Sequence, residues 1–241
     1  MNMNTRRAHT LAYLSLILGN ASMLFFAFFL FMGPLNLIRL NLTDGGALAF
    51  DACLSMLFFL QHSVMVRRPS RERFARRYPA AFFGAAYSIA SGIVLVAVLT
   101  LWQGVPPVAY AAGGAWYWAI RALFVLGLAL FYRASVSLKS FDPFGAKAVK
   151  RHIQKRETRR LPLSAKGAYG WVRHPLYLAM LLMIWSHPEP TLDRVLLNAL
   201  WSTWIVAATL LEERDLAREM GEDYDRYRAK VPMIVPYRIP R

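Results

Sequence analysis

Pro175-Leu-Tyr-Leu-Ala-Met-Leu-Leu-Met-Ile-Trp-Ser186 and Leu192-Asp-Arg-Val-Leu-Leu-Asn-Ala-Leu-Trp-Ser-Thr-Trp-Ile-Val-Ala-Ala-Thr-Leu-Leu211 are two apolar arms with a short connection between them. Together they are long enough to enter a membrane and return. The first arm is short, and it either spans only partly or starts inside the headgroup region. A polar cluster flanks each side of the pair. Tyr169-Gly-Trp-Val-Arg-His-Pro-Leu-Tyr177 opens it, and Glu212-Glu-Arg-Asp-Leu216 closes it. Gly221-Glu-Asp-Tyr-Asp-Arg-Tyr-Arg228 and Val231-Pro-Met-Ile-Val-Pro236 follow in the tail. A hairpin returns both clusters to one membrane face, where they can form one site.

Four more apolar runs precede the hairpin. Leu11 to Met32 and Ala80 to Trp102 carry no charge, Ala47 to Val66 has only Asp51 and His62 as ionisable groups, and Trp116 to Leu138 holds Arg121 and Arg133. A spanning helix needs roughly 20 apolar residues. The first run is too long for a signal h-region, and no small-residue cleavage site follows it cleanly. The expected fold is all-α and integral to the membrane. It has five to six transmembrane helices, including the C-terminal helical hairpin, and a small cytoplasmic cap. With no internal repeat or linker, residues 1–241 read as a single membrane domain.

The formal charge of +15 is unevenly placed. Arg67 to Arg77 holds six arginines and Lys139 to Arg173 holds ten Lys or Arg, whereas Gln103 to Ala115 holds none. Basic loops stay in the cytoplasm, so both termini and both basic segments are expected inside, with the loops at 33–46, 103–115 and 187–191 outside. Anionic lipid headgroups are the expected partners of the arginines. Nucleic acid is not an expected partner, since the positive-inside bias explains the basic runs and no nucleic-acid motif is present. No protein partner is inferred.

The polar residues offer few chemistries. Cys53 is the single cysteine, which rules out an internal disulfide, and it reads as a small core residue. His9, His62, His152, His174 and His187 are scattered, so no metal site is expected. No Ser-His-Asp pattern, phosphate loop or G-x-G-x-x-G occurs. Pro175 suits the first position of a helix, whose start offers N–H groups and partial positive charge to a carboxylate or phosphate beside Arg173 and His174. The alternative is that Arg173 reaches lipid phosphate and His174 is a solvated loop residue. Of Glu212 and Glu213, one can face the bundle, where a buried acid needs a partner such as a ribose hydroxyl or an ammonium. The alternative is a hydrated helix end. Asp51 and Arg121 read as a structural pair near the outer boundary. His62, in Gln61-His-Ser-Val-Met65, lies about 16 Å further in than Asp51, at the depth of His174 and Glu212, and is the better candidate for chemistry. Asp142, in Phe141-Asp-Pro-Phe-Gly145, lies at that level too and equally suits a turn before proline.

At these residues the chain resembles the integral-membrane methyltransferases of the isoprenylcysteine carboxyl methyltransferase superfamily. The shared pattern is R-H-P-x-Y at Arg173 to Tyr177, E-E-x-x-L at Glu212 to Leu216, G-x-x-Y-x-x-Y at Gly221 to Tyr227, and V-P at Val231-Pro232. Gln61 to Met65, Phe141 to Gly145 and the tail extend the likeness to the methanethiol S-methyltransferase and NnrU-like branch. The resemblance implies an S-adenosyl-L-methionine-binding core over 139–237. It implies cofactor contacts at Gln154, Tyr169, His174, Pro175, Leu176, Tyr177 and Glu212, and along Leu161-Pro162-Leu163-Ser164.

Two departures bear on the acceptor. Prenylcysteine enzymes carry an Arg one turn before the cofactor Glu, where this chain has Ala208. The family's Asp-Leu-Phe-Gly is Asp-Pro-Phe-Gly here. The resemblance therefore implies an acceptor without a carboxylate, a small lipophilic thiol such as methanethiol giving dimethyl sulfide. From its depth and its Gln-His-Ser context, His62 is the expected catalytic base, and the bacterial inner membrane is the expected location. The rival expectations are a non-enzymatic NnrU-like protein linked to nitrogen-oxide respiration and a methyltransferase with a lipid acceptor.

Overall fold

The computed structural model describes residues 5–106, 108–138, 142–156 and 166–238. These are all-helical, with no β-strand among the described residues beyond a single bridge between Val108 and Thr191. Five helical stretches are long and apolar enough to cross a membrane. They are α1 (Thr5–Met32), α2 (Asp44–Val66), Ala80–Leu101, α5 (Gly114–Ser137) and α8 (Leu192–Met220). The third begins as a 3-10 turn, Ala80–Phe82, and continues as α4 (Phe83–Leu101). Shorter helices are α3 (Arg68–Ala75), α6 (Ala146–Ile153), α7 (Pro175–Ile184) and α9 (Glu222–Lys230). Leu24, Leu60, Val125 and Tyr132 are exposed on the long helices. Apolar surface on this scale is stable only against lipid, so this is an integral membrane protein. Trp116 and Trp118, exposed at the start of α5, suit the headgroup level.

The chain divides into two compact units. The first comprises Met1–Phe29, Pro34–Gly104 and Asp142–Arg160, and the second Leu30–Gly33, Val105–Phe141 and Leu161–Arg241. The residues 139–237 expected to form the cofactor-binding core are divided between the two.

In the first unit α2 packs along α4. Gln103 ties off one end: its backbone N–H donates to Asp51 Oδ1 at 3.0 Å, and its side chain receives Leu40 N–H at 2.9 Å and donates to the Ile38 carbonyl at 2.8 Å. Elsewhere in the unit, Asp142-Pro-Phe-Gly145 forms a turn closed by Gly145 N–H to the Asp142 carbonyl at 3.2 Å. Asp142 Oδ2 then accepts from Ala148 N–H at 2.8 Å, capping α6. This is the turn role. Gly145 sits at φ +69°, and a Cβ there would lie 2.2 Å from Ala85 N. That contact lets Ala146 and Val149 pack on Phe82, Ala85, Ala8 and Ala12.

In the second unit α7 packs along α5 and against α8. With 10 residues, α7 rises about 15 Å, half of the ~30 Å hydrocarbon core. At the unit's other extremity, Asp193 Oδ1 accepts from Val105 N–H at 2.9 Å, and buried Arg194 donates to the Leu30 carbonyl. Arg121 donates to the Phe31 carbonyl and lies 4.3 Å over the Phe31 ring. Asp51 and Arg121 therefore each bind a partner within their own unit. The α8 helix does not stop at Leu211 but continues as far as Met220. Gly221, at φ +57° and ψ −133°, reverses the chain into α9, a conformation that only glycine adopts without strain.

Candidate functional site

The two polar clusters meet in the second unit, and their centre is Glu213. Because α8 runs on past Leu211, both acids lie within a helix rather than at a hydrated end. Glu213 faces inward with its side chain 9 % exposed, while Glu212 is 46 % exposed. Arg173 grips Glu213 bidentately, Nε to Oε1 at 2.8 Å and Nη2 to Oε2 at 2.7 Å. His174 Nε2 lies 2.6 Å from Glu213 Oε1, and the Tyr224 hydroxyl donates to the same oxygen at 2.7 Å. Arg173 Nη1 also donates to the carbonyls of Val231 at 2.5 Å and Arg228 at 3.2 Å. Burial opposes the Arg173 charge, but the hydrogen bonds and charge of Glu213 outweigh it and raise the guanidinium pKa. Burial first, and Glu213 second, push up the Tyr224 phenol.

Such a network is stable because every charge is paired and hydrogen-bonded. It also disposes of the solvated alternatives: the Arg173 and His174 side chains are 8 % and 6 % exposed. Arg173 is engaged by Glu213 and the tail carbonyls, so the helix start and not this guanidinium is what remains to meet an anion. Backbone pairing adds to the clamp, with Arg173 N–H donating to the Pro232 carbonyl at 2.8 Å and His174 N–H to that of Met233 at 3.0 Å. This is the physical use of Val231-Pro-Met in the tail.

Glu212 lies on the open side of the clamp. Tyr177 donates its hydroxyl to Glu212 Oε2 at 2.8 Å, and His174 Nδ1 lies 3.8 Å from the same oxygen. The Tyr177 ring stacks on His174 with centroids 5.5 Å apart. Tyr169, in the 3-10 turn Gly167–Gly170, has its carbonyl held by the Tyr227 hydroxyl at 2.6 Å. Its own phenol is pushed up to about 12, by burial and then by the charge of Glu212. Pro175 occupies the first position of α7, and His174, at the N-cap, makes no side-chain cap bond.

Tyr169, His174, Pro175, Leu176, Tyr177 and Glu212 therefore gather in one unit. Gln154 lies in the other unit, exposed just after α6, and Leu161, Pro162, Leu163 and Ser164 lie outside the described residues. His62 is in the first unit, half-buried, with the Tyr87 hydroxyl 2.6 Å from its Nε2. From sequence, Tyr224 and Tyr227 have no role in the site, and Glu213 is weighed only as one of two adjacent acids. The available signal was the E-E pair and the Y-x-x-Y spacing, which puts both tyrosines on one helical face. Among the described residues no group of His, Cys, Asp or Glu is arranged to hold a metal.

The family model "NnrU protein" matches residues 52–234. The chain is 33 % identical to a methanethiol S-methyltransferase of a Pseudomonas species, covering 80 % of this chain and 74 % of that one. It is 30 % identical to the methanethiol S-methyltransferase of Crocosphaera subtropica, covering 79 % and 75 %. It is 29 % identical to Nurim of Rattus norvegicus, covering 70 % and 68 %. No solved structure matches the chain.

Proposed function

The chain belongs to the NnrU family and is a methyltransferase, and from that premise we propose that its methyl donor is S-adenosylmethionine and its acceptor a small thiol, methanethiol first. The observation that carries this reading is the half-exposed Glu212 carboxylate, oriented by Tyr177 and His174 beside the start of α7. One carboxylate and one helix start suit a molecule that carries a carboxylate together with ammonium or hydroxyl groups. When bound, S-adenosylmethionine supplies a methyl group on a cationic sulfur. Glu212 would accept hydrogen bonds from its hydroxyl or ammonium groups, the first turn of α7 would face its carboxylate, and the half-buried Tyr177 ring would flank it. The Arg173–Glu213–Tyr224 clamp holds these groups in place, so binding energy is spent on orientation and exclusion of water.

The acceptor follows from Ala208, one turn before Glu212 on α8. Nothing cationic at that position would receive an acceptor carboxylate, and an unpaired charge at the membrane boundary costs several kcal/mol where water is excluded. A neutral thiol carries no such penalty. His62, its ring held by Tyr87, is the proposed acceptor of the thiol proton. The site lies on the cytoplasmic face of a bacterial inner membrane, with both termini inside.

Four experiments test this. Calorimetry in detergent should show S-adenosylmethionine binding, and a headspace assay should show dimethyl sulfide formed from methanethiol. Methylation of a lipid or a prenylcysteine carboxylate instead would replace the acceptor. His62→Ala should lower turnover at least tenfold and leave donor affinity unchanged, and wild-type turnover would return His62 to a packing role. A Gly113→Cys label in a Cys53→Ser background should react from outside, and reaction only from the cytoplasm would invert the orientation.

A further inference from the structure

A cavity of about 540 Å³ in the first unit has no part in the methyl-transfer reading. It is lined by Met65 at the end of α2, Ser70, Arg73 and Phe74 of α3, the following Arg76, Arg77 and Tyr78, and Phe83 at the start of α4. Its walls are of two kinds. Phe74 packs against Tyr78 and Phe83 with ring centroids 5.2 and 5.4 Å apart, and with Met65 these make an apolar floor. Arg73, Arg76 and Arg77 are exposed and supply the charge. The nearest acid in sequence, Glu72, already pairs with Arg68 at 2.8 Å. Arg71 lies 5.9 Å over the Phe83 ring. None of the three lining arginines forms an ion pair among the described residues.

We propose that this cavity is a binding site for the headgroup of an anionic phospholipid. The positive-inside bias accounts for arginines in this loop, but it does not require a concave site with three unpaired guanidinium groups over aromatic rings. Guanidinium groups bind phosphate oxygens bidentately. The apolar floor receives the glycerol and the first methylenes of the chains. The cavity lies where two helices long enough to cross the membrane begin and end, so the acyl chains of an occupant need not leave the hydrocarbon. A soluble phosphate would use the arginines and waste the floor.

The test uses full-length protein in an uncharged detergent, titrated with dioleoylphosphatidylglycerol or dioleoylphosphatidylcholine, with bound lipid counted by native mass spectrometry. Phosphatidylglycerol should be retained at least roughly tenfold better, because each basic side chain adds to the attraction. Arg73→Gln/Arg76→Gln/Arg77→Gln should lose that preference while melting as the wild type does in lipid-free detergent. Lys150→Gln/Arg151→Gln/Lys155→Gln, which removes the same charge from another basic segment, should keep it. If the triple cavity variant fails to fold, Arg76→Gln alone should lose severalfold. Equal retention of the two lipids, or equal loss in the control, would overturn the site. Displacement of the lipid by glycerol 3-phosphate would identify the occupant as a soluble phosphate and overturn the lipid assignment.

Discussion

Asp142-Pro-Phe-Gly145 and Arg173-His-Pro-Leu-Tyr177 present the same local sign: charge, proline and the start of a helix. The first is consumed by its own neighbourhood. Asp142 caps Ala148, and Gly145 lies hard against the backbone of Gly84 and Ala85. In the second, the N-cap residue His174 makes no side-chain cap bond to α7, and the polar atoms of Arg173 and His174 are held by Glu213, Arg228 and Val231 from far along the chain. A motif whose donors and acceptors are satisfied locally builds a corner. A motif fixed from a distance keeps binding groups such as Glu212 open without leaving a buried charge unpaired.

The largest test of that contrast is Glu213→Ala. It leaves the Arg173 charge buried without its counter-ion, at about 3–5 kcal/mol, so folded protein should be scarce and melt far below the wild type. Glu213→Gln should fall between the two, and a wild-type melting curve for Glu213→Ala would show that the clamp is not structural. Next is Gly145→Ala. The left-handed backbone alone costs about 1–3 kcal/mol, and the Cβ overlap adds to it, so melting should drop while the folded fraction keeps its donor affinity. Glu212→Ala should do the opposite. Loss of a charge-assisted hydrogen bond of about 1.5–3 kcal/mol weakens S-adenosylmethionine binding roughly ten- to hundredfold, with melting unchanged in the same detergent. The smallest effect is expected from Asp142→Ala, at about 1 kcal/mol for the lost cap, read as a drop of roughly 2–4 °C with unaltered donor affinity. A loss of affinity there would mean that the two motifs are not separate in role.

The apolar runs were legible because burial in lipid is recorded in composition. A stretch such as Ala80 to Leu101 has to satisfy its backbone internally, and a helix is the one local way to do so. The contents of the site were also legible as residue types, since R-H-P-x-Y, E-E and Y-x-x-Y name its donors and acceptors. What the sequence could not decide was which of two adjacent acids turns inward. Residues 212 and 213 differ by about 100° around a helix, and only the packing of α7 and α9 against α8 selects Glu213 for burial and leaves Glu212 open. Nor could it tell that α8 continues beyond Leu211, because the polar turns after that point are stabilised by tertiary partners, Tyr224 among them, and not by apolar periodicity. The sequence by itself determined that this is a helical membrane protein and which groups it holds for chemistry. The tertiary structure decided which of those groups are spent holding the others still, because pairing a buried charge takes partners that the chain brings together only when it folds.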